Sequence, residues 1–294
     1  MPEIKFSHLP DRGVVCLTGS DCRGFLQGLI SNDIDKVSET RSIYATFLTP
    51  QGKFLFDLFI SQTGESLLID CEKERQADFM KRLRLYKLRA DVSITDCSDE
   101  LGVTAYWGDG CANAAQLTGA AGSARSIANG TLSIDPRLSE AGLRAIIPTD
   151  GYEPAGLEDA VAADYDLHRL SLGLPRSGVD LIVDKSILLE CGVDELNGID
   201  WKKGCYMGQE VTARSKYRGL IKKRLVPVEI NGAAPAAGSL ILTGDKQAGE
   251  MRSSAGNRGL ALMRLEYLDG PGSFTSSDDP EVTLTARKPD WAVF

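Results

Sequence analysis

Histidine is scarce in this 294-residue sequence, which holds only His8 and His168. A histidine-based metal site or a Ser-His-Asp triad therefore has little material to work with. His168, on one stripe with Leu157, Val161 and Leu172, reads as a core histidine before it reads as a catalytic one. No stretch approaches the roughly 20 consecutive apolar residues of a helical membrane span. The seven cysteines, at 16, 22, 71, 97, 111, 191 and 205, are odd in number and include no CxxC pair. That argues against a disulfide framework and a paired-thiol zinc site, and most of them are expected to be small buried hydrophobes. Positive charge is also in deficit: 33 Lys and Arg against 41 Asp and Glu give a net −8. A uniformly basic nucleic-acid surface is excluded, although a local basic patch is not. The opening Met1-Pro-Glu-Ile-Lys-Phe6 has neither a basic start with an apolar run nor an Arg-rich transit pattern, so the cytoplasm is the expected compartment.

What is present fits an ordinary globular chain, 43% hydrophobic and 25% charged, long enough for two or three compact units. Residues 14–18 predict a short strand, followed by a helix through Phe25, Leu26, Leu29 and Ile30 with Ser20 and Asp21 at its N-cap. Residues 44–48, 54–60 and 66–70 predict an antiparallel meander. Residues 72–89 predict a helix with acids first and bases last, the order that complements the helix dipole. Short strands are expected at 92–95, 103–107, 131–134 and 143–147, with a small helix and variable loop across 111–130, and a helix over 157–172. After Arg224 the strands expected at 225–230, 239–243, 260–265 and 281–286 suggest a separate small β unit. The fold class is α+β, with domains at 1–224 and 225–294.

The least ordinary stretch is 198–219. Gly204 and Gly208 bracket Cys205 and Tyr206, which suggests a tight turn at the lip of a helix starting near Gln209. A thiol beside Lys202 and Lys203 and near a helix start is expected to have a lowered pKa; a structural turn around a buried cysteine is the plainer alternative. Lys202, Lys203, Arg214, Lys216, Arg218, Lys222, Lys223 and Arg224 are basic, and Glu210 is the one acid between 201 and 224. The pattern fits a solvated basic face or an anion site for a folate glutamate tail, a phosphate backbone or an acidic protein surface.

The run Lys203-Gly-Cys-Tyr-Met-Gly-Gln-Glu210 matches the signature Lys-Gly-Cys-Tyr/Phe-x-Gly-Gln-Glu of the YgfZ family, and Ala213-Arg214 with Lys216-Tyr-Arg-Gly219 continues it. The resemblance extends through Phe47-Leu-Thr-Pro-Gln-Gly-Lys53 and Leu172-Gly-Leu-Pro-Arg-Ser-Gly-Val-Asp180 into the C-terminal β unit, so it covers essentially the whole chain. It implies a T-protein-like fold, in which interleaved α+β units and a C-terminal β-barrel surround a channel that receives tetrahydrofolate. It also implies a role in assembly or repair of iron–sulfur enzymes, including one that thiolates tRNA, with client enzymes or cluster-assembly proteins as partners. Carried onto this sequence, Cys205 is the signature cysteine, with Lys203, Tyr206, Gln209 and Glu210 around it. Glu190 stands where T-proteins bind the folate pterin, with Trp201, Arg214 and Arg218 as further cofactor-binding candidates. No resident metal is implied: clusters normally take four thiolates, so one held at Cys205 would be shared with a partner. Where T-proteins carry an Asp-Asp pair, this chain has Phe56-Asp57. Adjacent strand residues face opposite ways, so Phe56 is expected to fill the catalytic direction and Asp57 the other. That weakens the alternative of an aminomethyltransferase, and the acidic net charge weakens that of an RNA-binding module using Trp201, Tyr206 and Tyr217.

Overall fold

The computed structural model describes residues 4–117, 119–128, 130–149, 157–219, 221–268 and 273–294. The chain forms two compact units, each assembled from separated stretches. The first comprises Met1–Pro50, Leu55–Tyr165 and Leu196–Gln209; the second, Gln51–Phe54, Asp166–Glu195 and Glu210–Phe294.

The elements of the first unit are, in chain order, β1 (Lys5–His8), β2 (Arg12–Thr18), α1 (Cys22–Gln27), β3 (Ile43–Leu48), β4 (Phe54–Thr63), β5 (Ser66–Glu72), α2 (Gln76–Lys87), β6 (Ser93–Asp96), β7 (Leu101–Trp107), α3 (Cys111–Ala114), β8 (Ala124–Ile127), β9 (Gly130–Ile134), β10 (Leu143–Pro148) and β11 (Glu158–Asp159). They form a five-stranded sheet, β3-β4-β5-β2-β6, and a six-stranded sheet, β11-β1-β7-β10-β9-β8. The meander expected between 44 and 70 is present as β3, β4 and β5. Residues 54–61 of β4 are buried without alternation, the pattern of a strand covered on both faces. On one face Phe56 packs 5.2 Å from the ring of Phe79 in α2 and 6.2 Å from that of Phe47. On the other, Asp57 points among buried arginines.

Three sequence expectations are corrected here. The helix over 157–172 begins only at Ala162, as α4 (Ala162–Leu172). Upstream, Glu158 N–H donates to Ile4 O (3.1 Å) and Ala160 N–H to Phe6 O (2.9 Å), which commits β11 to a parallel pairing with β1. Backbone groups used in a sheet ladder cannot also close helical turns. Val161 is 64% exposed, so the stripe joining it to His168 is not a buried helix face. The second correction is at α1, which stops at Gln27; the Asp21 carboxylate does not cap it but accepts the Asp91 N–H at 2.7 Å. In the third, the loop expected within 111–130 contains β8 beside α3; Thr118 and Asn129 lie outside the described residues.

In the second unit, α5 (Gln209–Tyr217) precedes a closed barrel of β12 (Lys223–Asn231), β13 (Leu240–Thr243), β14 (Lys246–Ala255), β15 (Arg258–Arg264), β16 (Ser273–Ser276) and β17 (Thr283–Ala286), ordered β12-β15-β14-β13-β16-β17. Its core includes Val226, Ile241, Met251, Met263, Phe274 and Leu284. β14 carries no alternating apolar signal. It approaches β15 closely at Gly249, where an added Cβ would be 2.3 Å from Met263 Sδ, and its pairing with β15 shifts register between Met251 and Ser254. The unit is larger than the β segment expected at 225–294, since it also takes in 51–54, 166–195 and 210–224.

Candidate functional site

The segment 197–209 is held to the α1–β3 connection of the first unit by backbone and buried polar contacts. Ser31 Oγ donates to Gly198 O (2.5 Å), Asp200 N–H to Ser31 O (3.0 Å) and Asn32 Nδ2 to Asn197 O (2.8 Å). Asp200 folds the next turn by accepting the N–H groups of Lys202 (2.6 Å) and Lys203 (3.0 Å), and Lys36 Nζ reaches its other oxygen at 2.5 Å. Desolvation pushes the Asp200 carboxyl up, but Lys36 and these N–H donors hold it below the usual carboxylate range.

Lys203 does not sit beside the thiol as an exposed charge. It is buried, and its Nζ donates to Gln27 O (2.8 Å), Ile30 O (2.7 Å) and Asn32 O (2.8 Å). All three ammonium donors are thus spent on the carbonyls at and beyond the C-terminal end of α1, where orphan acceptors and the negative helix end favour a cation. Burial pulls this ammonium down to about 8, against Asp33, Asp200 and Asp35, which hold it up. Lys203, expected as a catalytic neighbour of the thiol, is placed by the structure on these three carbonyls, which tie the loop to the end of α1.

From that anchor the chain rises to solvent at Gly204 and Cys205, both exposed, and returns at Tyr206, 6% exposed. The Lys203 Nζ lies 5.2 Å from the Tyr206 ring centroid, a cation–π contact. The phenol hydroxyl has no hydrogen-bond partner among the described residues, and burial pushes it up to about 12. Met207 N–H donates to Gly28 O (3.1 Å). Gly208 takes φ +82°, and α5 begins at Gln209, whose N–H donates to Tyr206 O (3.2 Å). The turn needs one glycine, not two: Gly204 is absent from the positive-φ positions, and a Cβ there meets nothing within 4 Å.

The remaining candidates separate. Glu210 pairs with Arg214 one turn along α5, so both are engaged with each other at the surface; Arg218 is exposed and Trp201 half-buried. Glu190 belongs to the second unit, on a 3₁₀ turn (Leu188–Cys191). Its half-buried carboxylate makes no hydrogen bond among the described residues. Burial raises it, against Lys223, Lys53, Arg252 and Arg224. Of these neighbours sequence reasoning singled out neither Lys53 nor Arg252 for the site, and the one available signal was Lys53 at the end of the Pro50-Gln-Gly turn. Asp57 is buried in a charge network of the first unit: Arg12 reaches it at 2.9 Å and Asp70 at 2.6 Å, and Arg144 also pairs with Asp70. Phe56, expected to fill the catalytic direction, packs into the aromatic core between Phe47 and Phe79.

Residues 222–294 match the model of the CAF17 C-terminal β-barrel domain. The chain is similar to the mitochondrial iron–sulfur cluster assembly factor IBA57 of Mus musculus (33% identity, 96% of this chain and 84% of that protein). It is equally similar to that of Homo sapiens (33%, with the same coverage). The homologue from Mycosarcoma maydis is 30% identical over 98% of this chain and 84% of its own length. The fold is that of the glycine cleavage aminomethyltransferase T from Bartonella henselae, with TM-score 0.75 over 99% of this chain and 86% of that one at 12% identity. The three iron–sulfur assembly factors are named as mitochondrial, which overturns the cytoplasmic expectation drawn from the first residues.

Proposed function

The chain belongs to the IBA57 family of iron–sulfur cluster assembly factors, and on that premise we propose that it presents Cys205 to a partner in the assembly or repair of iron–sulfur enzymes, with a reduced folate held at Glu190. Enzymes that thiolate tRNA fall within this client class. The observation that carries the reading is the Cys205 loop. The thiol stands in solvent with Gly204, while the loop is anchored before them at buried Lys203, by three carbonyls, and after them at buried Tyr206, by packing. Such a loop holds a thiol at a fixed place for another protein's atoms, the preorganisation that a transfer between proteins requires. A single thiolate cannot hold a cluster alone, so any cluster is cargo ligated jointly with the partner.

Glu190 supports the folate part. A half-buried carboxylate with free acceptor capacity suits the paired amino and ring N–H donors of a pterin, and Lys53, Lys223 and Arg252 supply positive charge for a glutamate tail. Aminomethyl transfer has less support, because Asp57 is committed to Arg12.

The test is rescue of a strain lacking its own gene of this family, reading the activity of a four-iron enzyme. Wild type restores it; Cys205→Ser, at equal protein level, does not. Full rescue by the serine variant would end the thiol's role. Independently, calorimetric titration with tetrahydrofolate is expected to show saturable binding that Glu190→Gln weakens at least about tenfold, or ~1.4 kcal/mol. Equal affinity in the two proteins would move the folate elsewhere.

A further inference from the structure

Next to the thiol loop, the surface of the first unit departs from what a solvent-facing helix end should look like. Leu85 is 67% exposed and Leu88 86%, three residues apart at the end of α2, with Tyr86 43% exposed between them. The outward face of a surface helix is ordinarily polar. Leu88 also takes φ +47° with ψ −110°, a backbone conformation that strains a non-glycine residue. That strain is not offset by burying the leucine. Residues 86–90 form one wall of an open cleft of ≈ 460 Å³, whose other wall is Ser20, Asp21, Gly24 and Phe25. On the α1 side Gly24 is exposed and presents only backbone, where an added Cβ would meet nothing within 4 Å. The Tyr86 hydroxyl donates to Met207 Sδ at 3.6 Å, so the cleft adjoins the loop two residues from Cys205.

The charges around the cleft identify its occupant. Lys81, Arg84 and Arg89 are exposed and Lys87 half-exposed, as is Lys202 on the thiol loop in full. Of the nearby acids Asp78 is paired with Arg82, while Asp21 and Asp91, which accept from the Asp91 N–H and from Ser20, keep their charge and are outnumbered by these five bases. In a chain of net charge −8, this is a local excess of positive charge around a cleft of mixed lining, whose apolar part is Phe25, Tyr86, Leu88 and Ala90. Nucleic acid would meet the basic residues but gain nothing from two exposed leucines. A lipid surface is flat and would leave the cleft unfilled.

We propose that the α1–α2 cleft is the docking surface for an acidic protein partner, which seats an apolar side chain between Gly24 and Leu88 and is thereby brought to Cys205. This rests on the thiol's role proposed above and names the surface that delivers its partner.

The experiment uses the full chain in the rescue strain, with a photo-crosslinking benzophenone residue at position 88 and, as control, at exposed Lys246 of the barrel. Position 88 is expected to crosslink one acidic protein of the iron–sulfur assembly machinery, identified by mass spectrometry, and the product is expected to disappear in the triple reversal Arg84→Glu, Lys87→Glu, Arg89→Glu. Gly24→Glu, which improves helix propensity while filling and charging the cleft, is expected to reduce rescue at least tenfold with an unchanged thermal transition; Gly24→Ala should rescue fully. The proposal is overturned by any of four results: products equal to those at Lys246, a product indifferent to charge reversal, a second copy of this chain or RNA as the product, or flotation with phosphatidylserine vesicles that Gly24→Glu abolishes. Full rescue by Gly24→Glu with none by Cys205→Ser removes the docking surface and leaves the thiol. The converse removes the thiol and leaves the surface.

Discussion

Cys205 is exposed, whereas Cys22, Cys71, Cys111 and Cys191 are buried and Cys16 and Cys97 half-buried. Burial holds the thiols of Cys22 and Cys71 above the ordinary range and pushes Cys97 and Cys111 up to about 11 and Cys191 to about 12. Because the thiolate is the nucleophile, iodoacetamide at neutral pH is expected to modify Cys205 first, read by peptide mapping; uniform labelling of all seven would contradict the burial pattern. Lys203 gives a pH signature of its own. Its folded value of about 8 lies below the roughly 10.4 of an unfolded lysine, so between these the unfolded chain binds more protons and stability rises with pH. The unfolding free energy of wild type relative to Lys203→Met is therefore expected to increase from pH 7.5 to pH 10 in urea titrations. The substitution itself leaves three carbonyls unpaired, a loss of about 3 kcal/mol or more, and a pH-independent difference would mean that the ammonium keeps its proton throughout.

At the scale of the element, the turn between Lys203 and α5 depends on Gly208. An alanine there must hold φ +82°, so Gly208→Ala is expected to cost about 1–2 kcal/mol and to reduce rescue by displacing Cys205. Gly204→Ala, with open space for its methyl, is expected to leave the melting temperature and rescue unchanged. Equal effects of the two would mean that the bracketing glycines act together. The sequence placed this turn correctly because Gly, Gly and a following helix start are local signals. It could not rank the glycines, since φ at each follows from where Lys203 and Tyr206 are buried.

Across the whole chain, the C-terminal barrel is the element most dependent on closure. β17 pairs with both β12 and β16, Ile230 opposite Leu284 and Phe274 opposite Leu284. Removing residues 283–294 would leave two unpaired edges and open a core that includes Val226 and Phe274, the condition under which strands seek other chains. The truncated protein is expected to elute as aggregate or fail to accumulate. A soluble monomer on size-exclusion chromatography would mean that the barrel tolerates an open seam.

What the sequence determined by itself was local: the meander, the bases and acids of α2, the β character after Arg224, and the Cys205 turn with its helix. Each rests on a period, a turn residue or a contiguous signature. The tertiary structure decided where buried charges go and which backbones pair. Lys203 finds Ile30 O across 173 residues, Asp57 finds Arg12 across 45, and residues 158–159 leave their expected helix to pair with β1. A desolvated charge or an unpaired strand must be satisfied by whatever the fold brings near, and that partner leaves no mark on the residues beside it in the chain.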